Sequence, residues 1–424
     1  MSKMISTGIP WLPEVAEGFS TGYVKQYFYV SKDLSGEGEP ERVLKLARAG
    51  IAEKDVTTNE GQMAASYVGY NKVKVGDLLL NPMDLYSGAN CNVSELEGVI
   101  SPAYSNLRVK NAGSVVPKYY DYYFKSQYWL MAMFAHGKGV SFDNRWTLNN
   151  DSLRSYEIPV IPYIVQQRIV EKIQSKEKKV DAIIANVQTQ IEKLKAYKQS
   201  LITEVVTKGL DPTVPMKDSG VEWMGIIPAH WGVKCGKHLF AESDLRSADG
   251  SEELLTVSQY TGITPRSQKS VNMFEALSLE GYKICKVGDI AANTMWMWAG
   301  AIGVSQYYGV VSPSYNVYHQ IGNAYLSKYL DYLLRIPPLV QCYESQSTGI
   351  RASRLRLYPQ QFLNIRFPVP PYAEQEAVVA ELEGRCEKVD RLIAIKQKKI
   401  DKLNEYKKSL IYECVTGKKE VPVG

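Results

Sequence analysis

The chain has 424 residues, and at roughly 150 residues per domain this length predicts two to three domains. Hydrophobic residues make up 45% and charged residues 22%, which is typical of folded proteins and argues against disorder. The net charge of +5 is too small to indicate a general polyanion binder. The longest apolar run, Met295–Val304, has ten residues, whereas a membrane span needs roughly 20.

The N-terminus and the cysteines bear on the compartment. The first six residues contain no apolar segment of a signal peptide. The six cysteines form no Cys-x-x-Cys pair, which favours a reducing cytoplasm and gives no sign of a metal site. We therefore expect a cytoplasmic protein that has no membrane segment.

The chain contains one sequence unit twice. Gly98–Tyr104 recurs as Gly309–Tyr315, and Lys193–Gly209 aligns with Lys402–Lys418 with 10 of 17 positions identical. The offset between the copies drifts only from 212 to 209 residues along the chain. A unit of this length is not a solenoid repeat, whose period is about 20–50 residues. The duplication predicts two similar domains related by an approximate twofold axis.

Each copy begins with a globular part and ends with a helix. In the first copy, Val73–Leu80 predicts a turn that leads into a buried strand, Gly98–Leu107 a strand with a Ser-Pro turn, and Tyr119–Phe134 a helix. These elements together predict an α+β domain. The predicted organisation is a first globular domain over 1–158, a long helix over 159–210, a second globular domain over 211–371 and a second long helix over 372–424.

Apolar residues in the last part of each copy repeat with heptad spacing. The steps between them alternate four and three residues, which is the seam of a coiled coil. Lysines interrupt the seam at equivalent places, and polar seam residues commonly fix register. A surface helix packed on its own domain is the alternative, but its apolar stripe would be wider. The seam positions are Val180, Ile184, Val187, Ile191, Leu194, Lys198, Leu201 and Val205, and then Val389, Ile393, Lys396, Ile400, Leu403, Lys407, Leu410 and Cys414.

The length of these helices predicts how they pack. A helix over Tyr163–Thr207 would be about 68 Å long, which exceeds the diameter of a domain of roughly 150 residues. Two projecting helices with matched seams most simply pair with each other, and a twofold relation makes them antiparallel. The predicted fold is therefore α+β, with two pseudo-twofold-related globular domains joined by two long helices that form an antiparallel coiled coil.

The sequence lacks the motifs of enzymes that act on nucleotides or DNA. It contains no phosphate-binding Gly-x-x-x-x-Gly-Lys-Ser/Thr loop. Asn81–Asp84 lacks the aromatic residue, and Val369–Tyr372 lacks the Asn or Asp, of an amino-methyltransferase loop. There is no Pro-Asp dipeptide of a metal-dependent nuclease, and the four histidines show no metal-binding spacing. We expect a protein with no catalytic residues and no metal site.

Three strings resemble the specificity subunit of type I restriction–modification systems, and the resemblance covers essentially the whole chain. They are Gly220–Trp231, Pro368–Glu376 at the start of the second long helix and Tyr406–Gly417 at its end, which Tyr197–Gly209 repeats. The chain departs from the pattern in the first copy. There is no Glu before Gln166, and Phe19 stands where the second copy has Trp231.

The resemblance implies a non-catalytic subunit of a restriction–methylation complex. In that family each globular domain reads one half of a split sequence in double-stranded DNA, and divergent domains imply an asymmetric target. The paired helices act as the spacer and dock two methyltransferase subunits, through which motor–nuclease subunits join. The subunit itself binds no cofactor, and S-adenosylmethionine, ATP and Mg are expected on its partners.

DNA-contacting residues are expected in loops at equivalent places of the two copies. Base reading needs Arg, Lys, Asn or Gln at a groove edge, whereas phosphate contacts fix position only. The candidates are Arg48, Asn81, Asp84, Tyr86, Lys138, Ser141 and Arg145 in the first copy. In the second copy they are Gln259, Arg266, Asn293, Trp296, Trp298, Arg351, Arg354 and Arg356.

These candidates have alternatives of their own. For the Trp and Tyr side chains the alternative is core packing, and for the arginines it is a solvated face. Arg351, Arg354 and Arg356 fit backbone phosphates best, because they are three cations within six residues beside Ser347–Gly349. The alternative for the whole chain is a coiled-coil adaptor with two protein-binding domains.

Overall fold

The computed structural model describes residues 3–37, 42–47, 49–56, 64, 66–83, 85, 90–139, 146–269, 278–349 and 355–419. The chain folds into two compact units. Unit 1 is formed by Met1–Val187 and Lys398–Gly424, and unit 2 by Gln188–Gln397. The sequence-based boundaries put each long helix in a segment of its own, whereas in the structure each unit holds a globular part and a portion of both helices.

Unit 1 is an antiparallel α+β structure. Its strands are β1 Met4–Ile9, β2 Leu12–Ala16, β3 Ser20–Tyr23, β4 Phe28–Val30, β5 Leu44–Ala47, β6 Gly50–Glu53, β7 Asn71–Val73, β8 Leu78–Leu80, β9 Cys91–Val93, β10 Gly98–Ile100, β11 Ser105–Val109 and β12 Glu157–Val160. Its short helices are α1 Val24–Tyr27, α2 Pro117–Trp129, α3 Ala132–Ala135 and α4 Asn150–Arg154. The first long helix, α5, runs over Tyr163–Lys208.

Unit 2 repeats this architecture. Its strands are β13 Met216–Asp218, β14 Ile226–Pro228, β15 Gly232–Cys235, β16 Phe240–Ser243, β17 Leu255–Ser258, β18 Gly262–Pro265, β19 Lys283–Cys285, β20 Ile290–Ala292, β21 Ile302–Val304, β22 Gly309–Val311, β23 Asn316–Gln320 and β24 Arg366–Val369. Its helices are α6 Ser327–Leu334, α7 Pro337–Gln346 and α8 Pro359–Asn364. The second long helix, α9, runs over Tyr372–Val415.

The sheets of the two units have the same order. A four-stranded sheet is β4-β11-β8-β9 in unit 1 and β16-β23-β20-β21 in unit 2. The ribbons β5-β6, β7-β10 and β3-β12 of unit 1 correspond to β17-β18, β19-β22 and β15-β24 of unit 2. The α+β fold predicted from the duplication is therefore confirmed.

Two local predictions for the first copy need correction. Gly98–Leu107 holds two strands, β10 and β11, because the Ser-Pro turn separates them. Tyr119–Phe134 is not one helix, because Met131 has a φ of +59° and interrupts it between α2 and α3. A non-glycine residue in the left-handed region cannot continue a right-handed helix.

The heptad seam describes the packing of the long helices. Each seam position named from the sequence is buried or half-buried, whereas most residues between them are exposed. Within unit 2, Lys198 Nζ lies 2.7 Å from Asp390 Oδ2, and Lys396 Nζ donates to Gln190 Oε1 over 2.5 Å. Residue numbers rise along one helix as they fall along the other, so the pairing there is antiparallel.

Two of the seam lysines each form an ion pair with an aspartate of the facing helix, at equivalent positions in the two units. In unit 1, Lys407 Nζ lies 2.7 Å from Asp181 Oδ1, which repeats the Lys198–Asp390 pair of unit 2 at an offset of 209 residues. Lysines at seam positions would weaken a coiled coil if they were buried without a partner. Here Lys198 and Lys407 each reach an aspartate on the facing helix, and these pairs specify the register.

The end of each long helix completes a core. The apolar core of unit 1 includes Leu410, Ile411, Cys414 and Val415 from the end of α9. The core of unit 2 includes Leu201, Val205 and Val206 from the end of α5. Each unit thus takes part of its core from a helix that does not begin in it.

One buried tyrosine in each unit caps the helix end. The last four carbonyls of an α-helix lack a partner within the helix. Tyr119 Oη donates to the carbonyl oxygen of Val415 over 2.6 Å, and Tyr329 Oη donates to that of Val206 over 2.7 Å. Burial raises the pKa of both phenols, so they remain protonated donors.

A glutamine fixes the start of each long helix. In α5, Gln166 Oε1 accepts from the Val116 amide over 2.6 Å and Nε2 donates to the Ile161 carbonyl over 2.9 Å. In α9, Gln375 Oε1 accepts from the Leu326 amide over 2.8 Å. Val116 and Leu326 are the N-cap residues of α2 and α6. The glutamine therefore ties the long helix to the helix that packs on the sheet.

The two departures of the first copy compensate each other. In unit 2, Trp231 Nε1 donates to Glu374 Oε2 over 2.9 Å. In unit 1 the equivalent residues are Phe19 and Val165, and both pack against the apolar core. Replacing both partners of a buried hydrogen bond by apolar groups can be nearly neutral, whereas replacing one is costly.

Among the described residues, no helix is both long enough and apolar enough to cross a membrane.

We expect Tyr329→Phe and Tyr119→Phe each to lower the free energy of unfolding by about 1–3 kcal/mol, because each leaves a buried helix-end carbonyl without a donor. Tyr197→Phe, at an exposed position on α5, is the control and should change it by less than about 0.5 kcal/mol. Denaturant unfolding of the three variants measures this. Equal stability of all three would show that the carbonyls need no donor.

Candidate nucleic-acid interface

Eight of the fifteen candidate residues lie in the described part of the chain: Asn81, Lys138, Gln259, Arg266, Asn293, Trp296, Trp298 and Arg356. The others lie outside the described residues: Arg48, Asp84, Tyr86, Ser141, Arg145, Arg351 and Arg354.

The two candidate asparagines stabilise turns. Asn293 is buried at the end of β20, its Oδ1 accepts from the Met295 amide over 3.2 Å, and its Nδ2 donates to Tyr315 Oη over 3.0 Å. Asn81 is buried at the end of β8, and its Oδ1 accepts from the Met83 amide over 3.0 Å. Both side chains thus hold the first turn of a loop, and in this conformation neither presents its amide to solvent.

The β20–β21 loop exposes an aromatic pair. The rings of Trp296 and Trp298 stack with centroids 5.7 Å apart. Trp298 Nε1 donates to the Met295 carbonyl over 2.9 Å, which fixes the second ring. Trp296 is 51% exposed, so it is not a core residue. The loop therefore offers a flat aromatic surface in which the Trp298 indole nitrogen already has a partner.

The β17–β18 hairpin presents Gln259 and Tyr260 at its tip. Tyr260 is 81% exposed, and Gln259 is also exposed. Gly262, with a φ of +65°, begins the returning strand. An amide and an aromatic ring together on a projecting turn can donate, accept and make apolar contacts, which are the contacts that base edges in a DNA groove offer.

Arg335, the C-cap residue that follows α6, holds this tip in place. Its Nη2 donates to the carbonyl oxygens of Gln259 over 3.2 Å and of Tyr260 over 2.8 Å. Asp331, one helical turn earlier, lies 3.6 Å from Arg335 Nη1 and accepts from the Val304 amide of β21 over 2.9 Å. Burial raises the pKa of Asp331, and the Val304 amide and the Arg335 cation oppose that rise. The pair therefore anchors both the hairpin and β21.

The hairpin packs against β21. A Cβ added to Gly303 of β21 would lie 3.4 Å from Gly262 Cα and 2.9 Å from Asp331 Oδ1. A side chain at position 303 would therefore crowd the Asp331 carboxylate, which accepts from the Val304 amide. The hairpin that carries Gln259 therefore packs against β21, the strand that follows the loop with Trp296 and Trp298.

Arg266 lies at the far end of β18. It begins a 3₁₀ turn over Arg266–Gln268 and is half-buried. Partial burial and the Arg266 cation lower the pKa of the Lys269 ammonium. Two cations this close favour an anion beside them.

Lys138 and Arg356 occupy similar bridges in the two units. Lys138 pairs with Thr147, and Thr348 pairs with Arg356, each as an isolated antiparallel bridge. Both cationic side chains are exposed. Each bridge closes a loop whose central residues, 140–145 and 350–354, lie outside the described residues.

Sequence reasoning missed Arg335 and Tyr260. Neither belongs to a recognisable motif, since the arginine acts on backbone carbonyls 75 and 76 positions away. The spacing of Asp331 and Arg335, four residues apart on a helix, was the one available signal.

Metal and thiol chemistry find little support among the described residues. No three His, Cys, Asp or Glu side chains cluster there in a way that could hold a metal ion. Burial raises the pKa of the Cys91 and Cys285 thiols, which keeps them protonated at neutral pH.

The chain resembles known proteins in sequence. No protein-family model matches it. It is 24% identical over 292 residues to a putative type I restriction enzyme MjaX specificity subunit from Methanocaldococcus jannaschii, a match that covers 65% of this chain and 62% of the relative. It is 23% identical over 408 residues to the type I restriction enzyme MjaVIII specificity subunit of that organism, covering 92% of this chain and 86% of the relative.

The fold also has a solved counterpart. A chain in a structure described as the basis of complex assembly and conformational transition of the type I R-M system superposes with a TM-score of 0.65. The two chains are 14% identical, and the match covers 95% of this chain and 98% of the other.

We expect Arg335→Ala to speed hydrogen exchange of the amides in residues 259–262 about ten-fold, because a hydrogen bond from a charged donor contributes about 1.5–3 kcal/mol. Arg335→Lys keeps the charge but not the planar fork, so its effect should be intermediate. Hydrogen-exchange mass spectrometry measures both. Wild-type exchange in the alanine variant would contradict the anchoring role.

Proposed function

We propose that this chain, a homologue of the specificity subunits of type I restriction enzymes, supplies the DNA sequence specificity of a restriction–modification complex. Each unit reads one half of an asymmetric two-part sequence in double-stranded DNA. The long helices set the spacer between the halves and dock the methyltransferase subunits. The chain itself is non-catalytic.

The observation that carries this proposal is that the two units share one framework of strands and helices but differ in the sequences of their loops. Both units have the same sheet order and the same tyrosine and glutamine anchors for the long helices. The sequences at the hairpin tips differ, since Gln259 and Tyr260 of unit 2 correspond to Ala47 and Arg48 of unit 1. Two units with the same fold and different contact residues are suited to recognise two different DNA half-sites.

The roles of the candidate residues follow from their chemistry. Gln259 offers both a donor and an acceptor to a base edge, whereas Tyr260 and Trp296 offer apolar surface to thymine methyl groups in the major groove. Lys138, Arg266 and Arg356 are cations that suit backbone phosphates. We assign Asn81 and Asn293 to shaping the loops, on the strength of their burial and hydrogen bonds.

The docking proposal is supported by exposed apolar residues on the long helices. Ile183 of α5 and Leu392 of α9 are exposed and equivalent in the duplication, as are Tyr197 and Tyr406. A single exposed apolar residue is ordinary, but here the same positions are exposed on both helices. A surface present twice suits two copies of one partner, here two methyltransferase subunits.

The remaining chemistry belongs to the partners in this proposal. Methyl transfer needs S-adenosylmethionine, and DNA translocation and cleavage need ATP and Mg. We assign these cofactors to the methyltransferase subunits and to the motor–nuclease subunits that join through them. In this proposal the chain supplies the DNA sequence specificity, and the partners catalyse the reactions.

Methylation mapping tests the proposal. DNA from cells that express this chain with its cognate methyltransferase should carry methyl groups at an asymmetric two-part motif with an unspecified spacer. The double variant Gln259→Ala with Tyr260→Ala should relax one half of the motif and leave the other unchanged, because each unit reads separately. Absence of a motif would contradict the proposal, and so would loss of both halves in a variant that remains folded.

A further inference from the structure

Unit 1 contains a cationic cleft that the candidate residues do not include. It has a volume of about 310 Å³ and lies where β4, β11 and α4 meet. Four cationic side chains and one carboxylate line it: Lys25, Lys32, Lys110, Arg154 and Asp151. The cations come from positions 25 to 154, so no sequence pattern links them.

The charge of this cleft is not neutralised by the described residues. No described carboxylate lies within 4.0 Å of the ammonium groups of Lys25, Lys32 or Lys110. Arg154 Nη1 lies 3.9 Å from Asp151 Oδ1, but that carboxylate is 95% exposed, so water screens the pair. Asp33, beside Lys32, lies 3.7 Å from Arg108.

Hydrogen bonds join the segments that carry Lys25 and Lys110. Lys110 Nζ donates to the Lys25 carbonyl oxygen over 2.6 Å. The Lys110 amide donates to the Tyr27 carbonyl over 2.9 Å, which extends the β4–β11 pairing to this point. Like charges on ordered backbone repel one another, and a bound anion would relieve that repulsion.

The fold does not require this cluster, because unit 2 lacks it. The Ile321 amide donates to the Leu239 carbonyl over 2.7 Å, just as Lys110 does to Tyr27 in unit 1. The residues of unit 2 equivalent to Lys25, Lys32, Lys110 and Arg154 are Lys237, Asp244, Ile321 and Leu363. Three of the four cations are thus replaced by an acidic or apolar residue.

We infer that this cleft binds a phosphodiester group of the DNA backbone, and that unit 1 alone has this anchor. The inference rests on the proposed function and extends it. Ammonium groups and a guanidinium around an open cleft match the oxygens of a phosphate, which carries one negative charge in DNA. Such a contact positions unit 1 on its half-site without reading a base.

The test uses the full chain with its methyltransferase partner and the triple variant Lys25→Ala, Lys110→Ala, Arg154→Ala. DNA affinity is measured between 50 and 200 mM salt. We expect about ten-fold weaker binding of target and non-target DNA alike, and a slope of log K against log salt that is shallower by about 1, because one phosphate contact is lost. The methylated motif should stay unchanged.

Lys237→Ala is the matched control, because it removes the equivalent cation from unit 2. It should leave the salt slope unchanged, and thermal unfolding should show that all variants remain folded. An unchanged slope in the triple variant would overturn the inference, as would an equal effect of Lys237→Ala. A wild-type complex with no two-part motif would instead remove the proposed function itself, and the inference with it.

A second experiment distinguishes a site for DNA phosphate from a site for free phosphate. Inorganic phosphate is titrated into the wild type and the triple variant by calorimetry. Weak binding that only the wild type shows, together with the expected change in DNA salt slope, supports the DNA contact. Phosphate binding with an unchanged DNA slope would identify a free-anion site and overturn the inference.

Discussion

The structure depends on helices that are shared between two cores. The last turns of α9 supply Leu410 and Val415 to the core of unit 1, and the last turns of α5 supply Leu201 and Val206 to that of unit 2. Neither core is complete without the helix that begins elsewhere. The length and register of the helix pair are therefore fixed at both ends, by burial and by buried tyrosine donors to the final carbonyls.

Between these ends, two equivalent ion pairs specify the register. Lys198 with Asp390 and Lys407 with Asp181 use the same residue types at equivalent positions. Each exposed pair contributes only about 0–1 kcal/mol, so the pairs select the register more than they stabilise it. A frame held this way leaves the exposed loops free to change, and the loops are where the two units differ.

The sequence alone was sufficient to predict those parts of the fold that occur twice in the chain. Heptad steps fixed the seam, since burial along a helix follows its period, and the duplication implied two similar units. The sequence did not reveal that Asn81 and Asn293 face inward, because an asparagine after a strand suits both a turn and a base contact. Arg335 and the Lys25–Arg154 cleft were also hidden, because they depend on tertiary contacts between distant segments.

The same contrast explains the first copy's departures from the family pattern. In the sequence, Phe19 and Val165 are two separate differences from Trp231 and Glu374 of the second copy. In the structure their counterparts, Trp231 and Glu374, form one hydrogen bond, so the two apolar residues are a single exchange. The two differences in sequence therefore amount to one change in packing, the replacement of a hydrogen-bonded pair by an apolar pair.

The most direct test of the shared helix pair is to shorten it. Deleting residues 184–190 and 397–403 together removes one heptad, about 10 Å, from both helices while keeping the seam spacing and both ion pairs. Methylation mapping of this variant with its partner should give the same two half-sites with a shorter spacer. An unchanged spacer, or altered half-sites in a folded protein, would contradict the account.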